Sequence, residues 1–269
     1  MTKALCCLIV ACAAFAGCSA PGSDLVTTAK KIDATVNAHD LEGFGAALAD
    51  GVTSTGPDGI THTSRDSVKA WLSHLLPGFH VDSWGWEQSG DTVKWMSTVR
   101  SDAFARFGVN PIKTNTMAVF SGGKVIRFMA TFNQETANKM RFIQFYADVV
   151  NGGNIDAIDK YVSDDFVEHQ PLPPGVPKGR DGVKAFFKMA HEAFPDLHGT
   201  PTFVMADGDL VLVWGAWEGT NKGKFMGQPA TNKQMTWQVA DVVRLVDGKA
   251  TEHWGADNMA EVMMQAHKK

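Results

Sequence analysis

The chain is poor in cysteine: Cys6, Cys7, Cys12 and Cys18 are the four it has, and none lies beyond residue 18 of 269. The remaining body can form no disulfide, hold no cysteine-ligated metal and use no thiol nucleophile. It also lacks a basic cluster, and the net charge of −4 argues against a nucleic-acid partner. His191, His198 and His267 have no spacing that would assemble a metal site. We therefore expect neither a metal nor an organic cofactor.

After residue 18, no stretch reaches the roughly 20 apolar residues that span a bilayer. The start of the chain instead has the features of an export signal, because Lys3 precedes an uncharged apolar run from Ala4 to Ala16. The run ends at residues 15–18 (FAGC), which resemble the lipobox of bacterial lipoproteins, although Phe15 replaces the usual Leu. This resemblance implies a signal peptide over 1–18, lipidation of Cys18, and a location in the cell envelope, periplasmic or otherwise extracytoplasmic, with the lipid anchor as the sole membrane contact. An ordinary secretory signal cleaved after Ala20 is the alternative.

Short motifs of the first half recur in the same order in the second half. Residues 65–71 (RDSVKAW) parallel residues 180–186 (RDGVKAF), and the pairs at 90–91 and 123–124 parallel those at 208–209 and 248–249. An ordered series of matches is typical of internal duplication; chance similarity between two α+β segments is the alternative. We expect a first, degenerate domain over 24–137 and a second domain over 138–269.

The second half has a clear order of helical and strand-like patterns. Apolar residues at helical spacing predict helices over 140–150, 155–162 and 180–194. An extended segment at 166–169 and four strands at 200–206, 210–219, 234–246 and 250–256 complete the pattern, with Gly208 and Gly248 at hairpin turns. Helices followed by a strand meander predict an α+β fold, with helices on one face of an antiparallel sheet.

An ordered set of motifs in the second half carries a family resemblance. The motifs lie at residues 168–171 (EHQP), 179–182 (GRDG), 194–198 (FPDLH), 207–209 (DGD), 219–223 (GTNKG), 247–249 (DGK) and 252–257 (EHWGAD). Together they resemble the SnoaL-like polyketide cyclases (ester cyclases) of the nuclear transport factor two superfamily, over nearly all of residues 140–266. The first half resembles the same superfamily more weakly.

The resemblance implies two tandem cone-shaped domains, each a curved antiparallel sheet wrapped around helices and enclosing an apolar pocket. Some family members close a ring by intramolecular aldol condensation of a polyketide methyl ester, and the family uses an Asp as general acid/base. Asp257 is the best-matching position here. The superfamily commonly pairs through its sheets, which implies an intramolecular pseudo-dimer or a homo-oligomer.

The last predicted strand supplies the candidate catalytic residues. Alternation along a strand places His253 and Asp257 on one face, and Glu252 and Trp254 on the other. Burial in an apolar pocket raises the pKa of a carboxyl group and makes it a better base near neutral pH. The hypothesis is that Asp257 removes or relays a proton, while His253 and His169 hydrogen-bond a substrate oxygen.

Structural roles are the alternatives for these residues. Asp257 can simply help to start a final helix, for which Asn258 and Glu261 fit a capping box. His253 can be a satisfied core histidine, and His169 a surface residue beside a proline-rich loop. Trp254 and Trp214 are further candidates for substrate contact, although the tryptophans of the predicted strands are also suited to the core: Trp214, Trp217, Trp237.

The first half offers an internal comparison. When the halves are aligned on residues 123–124 and 248–249, the counterpart of His253 is Phe128 and the counterpart of Asp257 is Phe132. Phenylalanine cannot transfer a proton, so we expect the first domain to be a binding pocket, a dimerisation module or a structural support.

The sequence thus predicts cofactor-free acid/base catalysis, of cyclase or isomerase type, on a small apolar carbonyl compound in the second domain. The chief alternative is non-catalytic binding of a small hydrophobic ligand in the cell envelope. A third is an interaction module that presents its sheet to another envelope protein.

Overall fold

The structure is a computed structural model that describes residues 24–105, 108–171 and 175–268. The predicted signal and Cys18 lie outside these residues. The helices are α1 (Leu25–Asn37), α2 (Leu41–Ala46), α3 (Arg65–Leu75), α4 (Asp102–Ala105), α5 (Gln134–Phe145), α6 (Ile158–Tyr161), α7 (Gly179–Ala193) and α8 (Met259–His267). A π-helical turn, Tyr146–Asn151, extends α5, and a 3-10 turn, Ile155–Ala157, precedes α6. None of the described helices combines the length and apolar character needed to cross a membrane.

Eleven strands form two sheets in the described residues. The first half has β1 (Leu48–Thr55), β2 (Thr61–His62), β3 (His80–Ser89), β4 (Thr92–Arg100), β5 (Ile112–Ser121) and β6 (Lys124–Phe132), in the order β2-β1-β6-β5-β4-β3. The second half has β7 (Val162–Glu168), β8 (His198–Asp207), β9 (Leu210–Thr220), β10 (Gln234–Val246) and β11 (Lys249–Asp257), in the order β7-β11-β10-β9-β8. The predicted α+β class is confirmed.

Each sheet is antiparallel except at one pair, which the sequence analysis did not anticipate. β1 pairs in parallel with β6, and β7 pairs in parallel with β11. In each half a helix follows the first long strand before the meander begins, so the last strand returns beside the first in the same direction. A parallel pair needs such a long connection, which here includes α3 or α7.

Side-chain alternation turns one face of the second sheet toward the helices. On β10, Met235, Trp237, Val239, Val243 and Leu245 are all buried. Helix α7 packs opposite them through an apolar stripe that includes Phe187 and Ala190. This packing positions the site described below.

The two halves have separate apolar cores that meet at a shared boundary. Four side chains of the first half are part of the second core: Val81, Val99, Val109, Ile112. Within the second half, the Nδ2 of Asn138 on α5 donates to the carbonyl of Gly208 at the β8–β9 turn, at 3.1 Å. The predicted boundary between residues 137 and 138 falls within α5 and stays a prediction.

Each half has its own side-chain clamp, in which an asparagine at the end of a helix holds the first strand of the meander. Nδ2 of Asn37 donates to the Val81 carbonyl at 2.9 Å, and Oδ1 accepts from the Val81 amide at 2.8 Å. Asn151 makes the same pair with Gly199, at 3.1 and 2.7 Å. Each asparagine therefore forms hydrogen bonds with both the N–H and the C=O of one strand residue.

We expect Asn151→Ala to lower the free energy of unfolding by about 1–3 kcal/mol, because two hydrogen bonds to backbone groups are lost. Urea denaturation measures the change, and Asn37→Ala is expected to give a similar loss. The exposed Gln144 on α5 supplies the control, since Gln144→Ala is expected to change stability by less than about 0.5 kcal/mol. Equal stability of Asn151→Ala and Gln144→Ala would contradict a stabilising role for the clamp.

Candidate active site

The second half encloses a cavity of about 270 Å³ between the concave face of its sheet and helices α5 and α7. Its wall is rich in aromatic side chains: Phe142, Phe145, Tyr146, Tyr161, Phe166, Phe186, Phe187, Phe194, Trp217, Phe225, Trp237. For scale, an apolar cavity of about 150 Å³ in another protein holds benzene. The space is therefore sufficient for a compact ligand of one or two rings.

Three strands direct polar side chains into this aromatic space. Asp241 lies on β10 between the buried Val239 and Val243, so alternation points it inward. His253 lies on β11 directly opposite Val243 in the antiparallel pair. Glu168, the last residue of β7, is paired with His253 in the parallel register.

These three side chains form one hydrogen-bonded cluster. The Nδ1 of His253 lies 2.9 and 2.7 Å from the two carboxylate oxygens of Glu168. Its Nε2 lies 3.2 Å from Oδ1 of Asp241. The imidazole is thus held between two carboxylates, and each of the three side chains is less than one fifth exposed, at 18, 15 and 18%.

The cluster continues to a buried tyrosine. The Tyr146 hydroxyl donates to Oδ2 of Asp241 at 3.3 Å, and the indole Nε1 of Trp217 donates to the Tyr146 oxygen at 3.1 Å. Burial, followed by the charge of Asp241, raises the pKa of Tyr146 well above its usual value. Tyr146 therefore stays neutral and serves as a donor.

The charge state of His253 follows from its neighbours. Burial alone would lower the pKa of the imidazole, but the hydrogen bonds and charges of Asp241 and Glu168 together raise it from 6.5 to about 9. At neutral pH the ring is an imidazolium that donates to both carboxylates. It can orient and stabilise them, but has no free nitrogen to act as a base.

Asp241 is the carboxylate best placed for proton transfer. Both of its hydrogen bonds exceed 3.1 Å, whereas Glu168 accepts at 2.7 Å from His253 and at 2.9 Å from the Gln170 amide. An ionised carboxylate has about four acceptor positions, so Asp241 keeps capacity for a ligand or a proton. No three described His, Cys, Asp or Glu residues are arranged to hold a metal ion.

Asp257 and His253 both line the cavity, as alternation along β11 predicts. Asp257 is exposed, and its Oδ1 accepts from the Met259 amide at 2.8 Å at the start of α8. The predicted capping box is wrong, because Asn258 makes no side-chain cap and its Oδ1 accepts from the Gln238 amide instead. Asp257 as a base stays a prediction.

The other candidate contacts lie on the outer face of the second sheet. The ring of His169 stacks on Trp254 with centroids 4.5 Å apart, and its Nε2 lies 3.0 Å from Oε2 of Glu252. Glu252 also accepts from Arg244 at 2.7 Å. Trp214 is 42% exposed on the outer face of β9. The structure therefore does not bring these three candidates together with His253, and their substrate contact stays a prediction.

Sequence reasoning missed Glu168, Asp241 and Tyr146. The sequence does contain a sign of Asp241: within residues 234–246 it is the one carboxylate at the alternate positions that are otherwise apolar and face inward. Glu168 shares the inward phase of Phe166, whereas the neighbouring His169 has the outward phase. Tyr146 gives no comparable signal, because an aromatic residue on a helix facing the core is normally part of the packing.

The first half has no such polar cluster at the positions that correspond in the sheet registers. In the sheet registers, Ser54 pairs with Phe128 as Glu168 pairs with His253. Thr116 pairs with Trp95 as Asp241 pairs with Val213. Ser54, Phe128 and Thr116 thus stand at the positions that correspond in register to Glu168, His253 and Asp241.

Comparisons with known proteins agree with the resemblance found in the second half. The sequence model of the SnoaL-like polyketide cyclase family matches residues 140–266, which confirms the resemblance over that segment. The chain is similar to a proposed polyketide cyclase from Acidithiobacillus ferrooxidans, at 29% identity over 50% of this chain and 96% of that one, with a TM-score of 0.43.

Two Streptomyces structures are similar over the same length. IdmH of Streptomyces antibioticus, named as a proposed polyketide cyclase, is 26% identical over 48% of this chain and 96% of its own, with a TM-score of 0.42. AclR of Streptomyces galilaeus, named as a proposed hydroxylase, is 28% identical over 51% and 99%, with a TM-score of 0.44. No curated protein matches the chain.

Proposed function

We propose that the second half is a cofactor-free acid/base enzyme, of cyclase or isomerase type, that acts on a small apolar carbonyl compound. The observation that carries the proposal is the Glu168–His253–Asp241 cluster in the wall of an aromatic cavity. The match of residues 140–266 to a polyketide cyclase family supports the same class of reaction.

The proposed step begins with transfer of a proton from the carbon next to the carbonyl to Asp241. The C–H electron pair then delocalises onto the carbonyl oxygen as an enolate. In an isomerase the enolate is reprotonated at a different carbon; in a cyclase it attacks a second carbonyl of the same molecule and forms a carbon–carbon bond. Asp241 returns the proton in both cases. His253 and Tyr146 are positioning residues, because they hold the carboxylate through its two oxygens.

Non-catalytic binding of a small hydrophobic ligand is the alternative function. It is favoured by the aromatic wall, which would retain an apolar molecule without any reaction. The same cavity serves both proposals, so turnover and binding must be measured separately.

We also infer that the two halves are tandem copies of one domain and that the chain is anchored in the cell envelope through Cys18. The common strand order and the equivalent Asn37 and Asn151 clamps support the duplication. The anchor rests on the sequence of residues 1–18, and mass spectrometry of the mature N-terminus in its native host tests it.

Deuterium exchange at carbon tests the enzymatic proposal without knowledge of the natural substrate. Small aryl ketones and aryl β-keto esters are incubated in D2O, and the loss of the α-proton signal is followed by proton NMR. We expect the protein to accelerate exchange above buffer, and Glu252→Gln, which alters the outer face beside His253, to retain that rate. Calorimetry on the same compounds measures binding. Binding without accelerated exchange would refute the enzyme and leave the alternative function.

A further inference from the structure

The hydrogen bonds of the Glu168–His253–Asp241 cluster fix its total charge. An ionised carboxylate can only accept, and a neutral imidazole has one N–H. Both contacts to His253 are therefore hydrogen bonds only if the ring is protonated or if one carboxyl group carries the proton instead. In either state, the three groups together hold a single net negative charge.

A single lysine or arginine side chain lines the described cavity to offset that charge. Arg141 lines the cavity, but it donates to the carbonyls of Gly248 and Lys160 at 2.9 and 2.7 Å. Its guanidinium also lies 4.8 Å from the centre of the Tyr161 ring. Asp257 adds a further carboxylate to the lining. The charge of the cluster and the carboxylate of Asp257 together outweigh the one positive charge of Arg141, which its hydrogen bonds to carbonyls leave in place. The lining is therefore negative overall and suited to a ligand that supplies a positive charge.

Asp241 is the group that can receive such a ligand. Its two protein hydrogen bonds are long and leave acceptor positions free, whereas Glu168 is engaged by His253 and the Gln170 amide. The surrounding aromatic rings can in addition attract a cation through their negative faces. Two independent features, the charge of the cluster and the aromatic wall, thus favour the same ligand chemistry.

We propose that the cavity selects an amine: a compact cyclic compound whose protonated nitrogen binds Asp241 while its apolar body contacts the aromatic wall. This inference rests on the proposed function in that it names the substrate class of the same site, a carbonyl compound that also bears an amine. A carboxylic acid of the same size is disfavoured, because its charge would repel the cluster.

Three probes of matched size test the selection: naphthylethylamine, naphthylethanol and naphthylacetic acid. Their dissociation constants for the full mature protein are measured by calorimetry at neutral pH. The amine is expected to bind at least about tenfold more tightly than the alcohol, as expected for a hydrogen bond to a charged group, and the acid more weakly than both. Equal binding of amine and acid would overturn the proposal, whatever the variants do.

Two variants that each remove one charge show whether the preference for the amine arises from the cluster. Asp241→Asn and Glu168→Gln each remove one negative charge, and both are expected to reduce the preference for amine over alcohol to about threefold or less. Glu252→Gln, on the outer face, is expected to keep the wild-type preference. An amine preference that survives both inner variants would place its source outside the cluster and refute the assignment. Carbon exchange on neutral ketones is a separate readout, so failure of the enzyme and failure of amine selection can be distinguished.

Discussion

Asp241→Asn is expected to lower the rate of enzyme-catalysed carbon exchange by about 10²–10⁴-fold, the contribution typical of a positioned general base. The change preserves the size of the side chain and can keep a hydrogen bond to Tyr146 or His253. It removes the lone-pair basicity on which proton abstraction depends. The exchange rate of an aryl ketone in D2O is the measurement, and its affinity is expected to stay within about threefold, because a neutral ligand gains little from the carboxylate charge.

Asp257→Asn is the matched comparison for the same residue type. Asp257 is exposed at the cavity lining and accepts from the Met259 amide, a contact that asparagine can retain through its carbonyl oxygen. We therefore expect the larger rate loss at Asp241. If Asp257→Asn abolishes exchange while Asp241→Asn leaves it intact, the base is Asp257, as the family resemblance implies.

Local sequence patterns were sufficient to predict the elements that carry the site. The strand predicted over 234–246 coincides with β10, because apolar residues alternate along it with Asp241 as the one exception. Helix α7 begins at Gly179 and ends at Ala193, within one residue of the 180–194 prediction at each end. Gly208 and Gly248, with φ of +57° and +75°, form the predicted hairpin turns. Such elements depend on neighbouring residues, so a single sequence contains enough information to locate them.

The composition of the site was less predictable, because it depends on pairing between distant strands. Glu168 and His253 meet only because β11 returns in parallel beside β7, a pairing that no local pattern reveals. A one-residue error in strand phase also exchanges the inner and outer faces. Glu168 and His169 are neighbours in one short motif, yet Glu168 lines the cavity and His169 stacks on Trp254 on the outer face. Asp241 lies within an apolar run, and its inward position becomes apparent only once the face of β10 that meets the helices is known.

The stability of the protein is expected to fall by about 3 kcal/mol as the pH rises from about 6.5 to above about 9. The folded state holds the His253 proton more tightly than the unfolded chain, since its pKa is raised from 6.5 to about 9 by Asp241 and Glu168 despite burial. The stabilisation is therefore fully present below pH 6.5 and is lost as the pH rises through 9. Urea denaturation at a series of pH values measures this loss.

His253→Gln identifies the source of that pH dependence. Glutamine can hydrogen-bond one carboxylate but cannot take up a proton, so the variant is expected to lack the loss between pH 6.5 and 9. His169→Gln, on the outer face of the same sheet, is expected to retain it. A wild-type stability curve that is flat over this interval would contradict an imidazolium held between two carboxylates. Asp241 would then lack the positively charged partner that is proposed to orient it. The same result would also argue against a neutral His253 with the proton on one carboxyl group, because the pH dependence of stability follows the number of protons bound and not which group holds them.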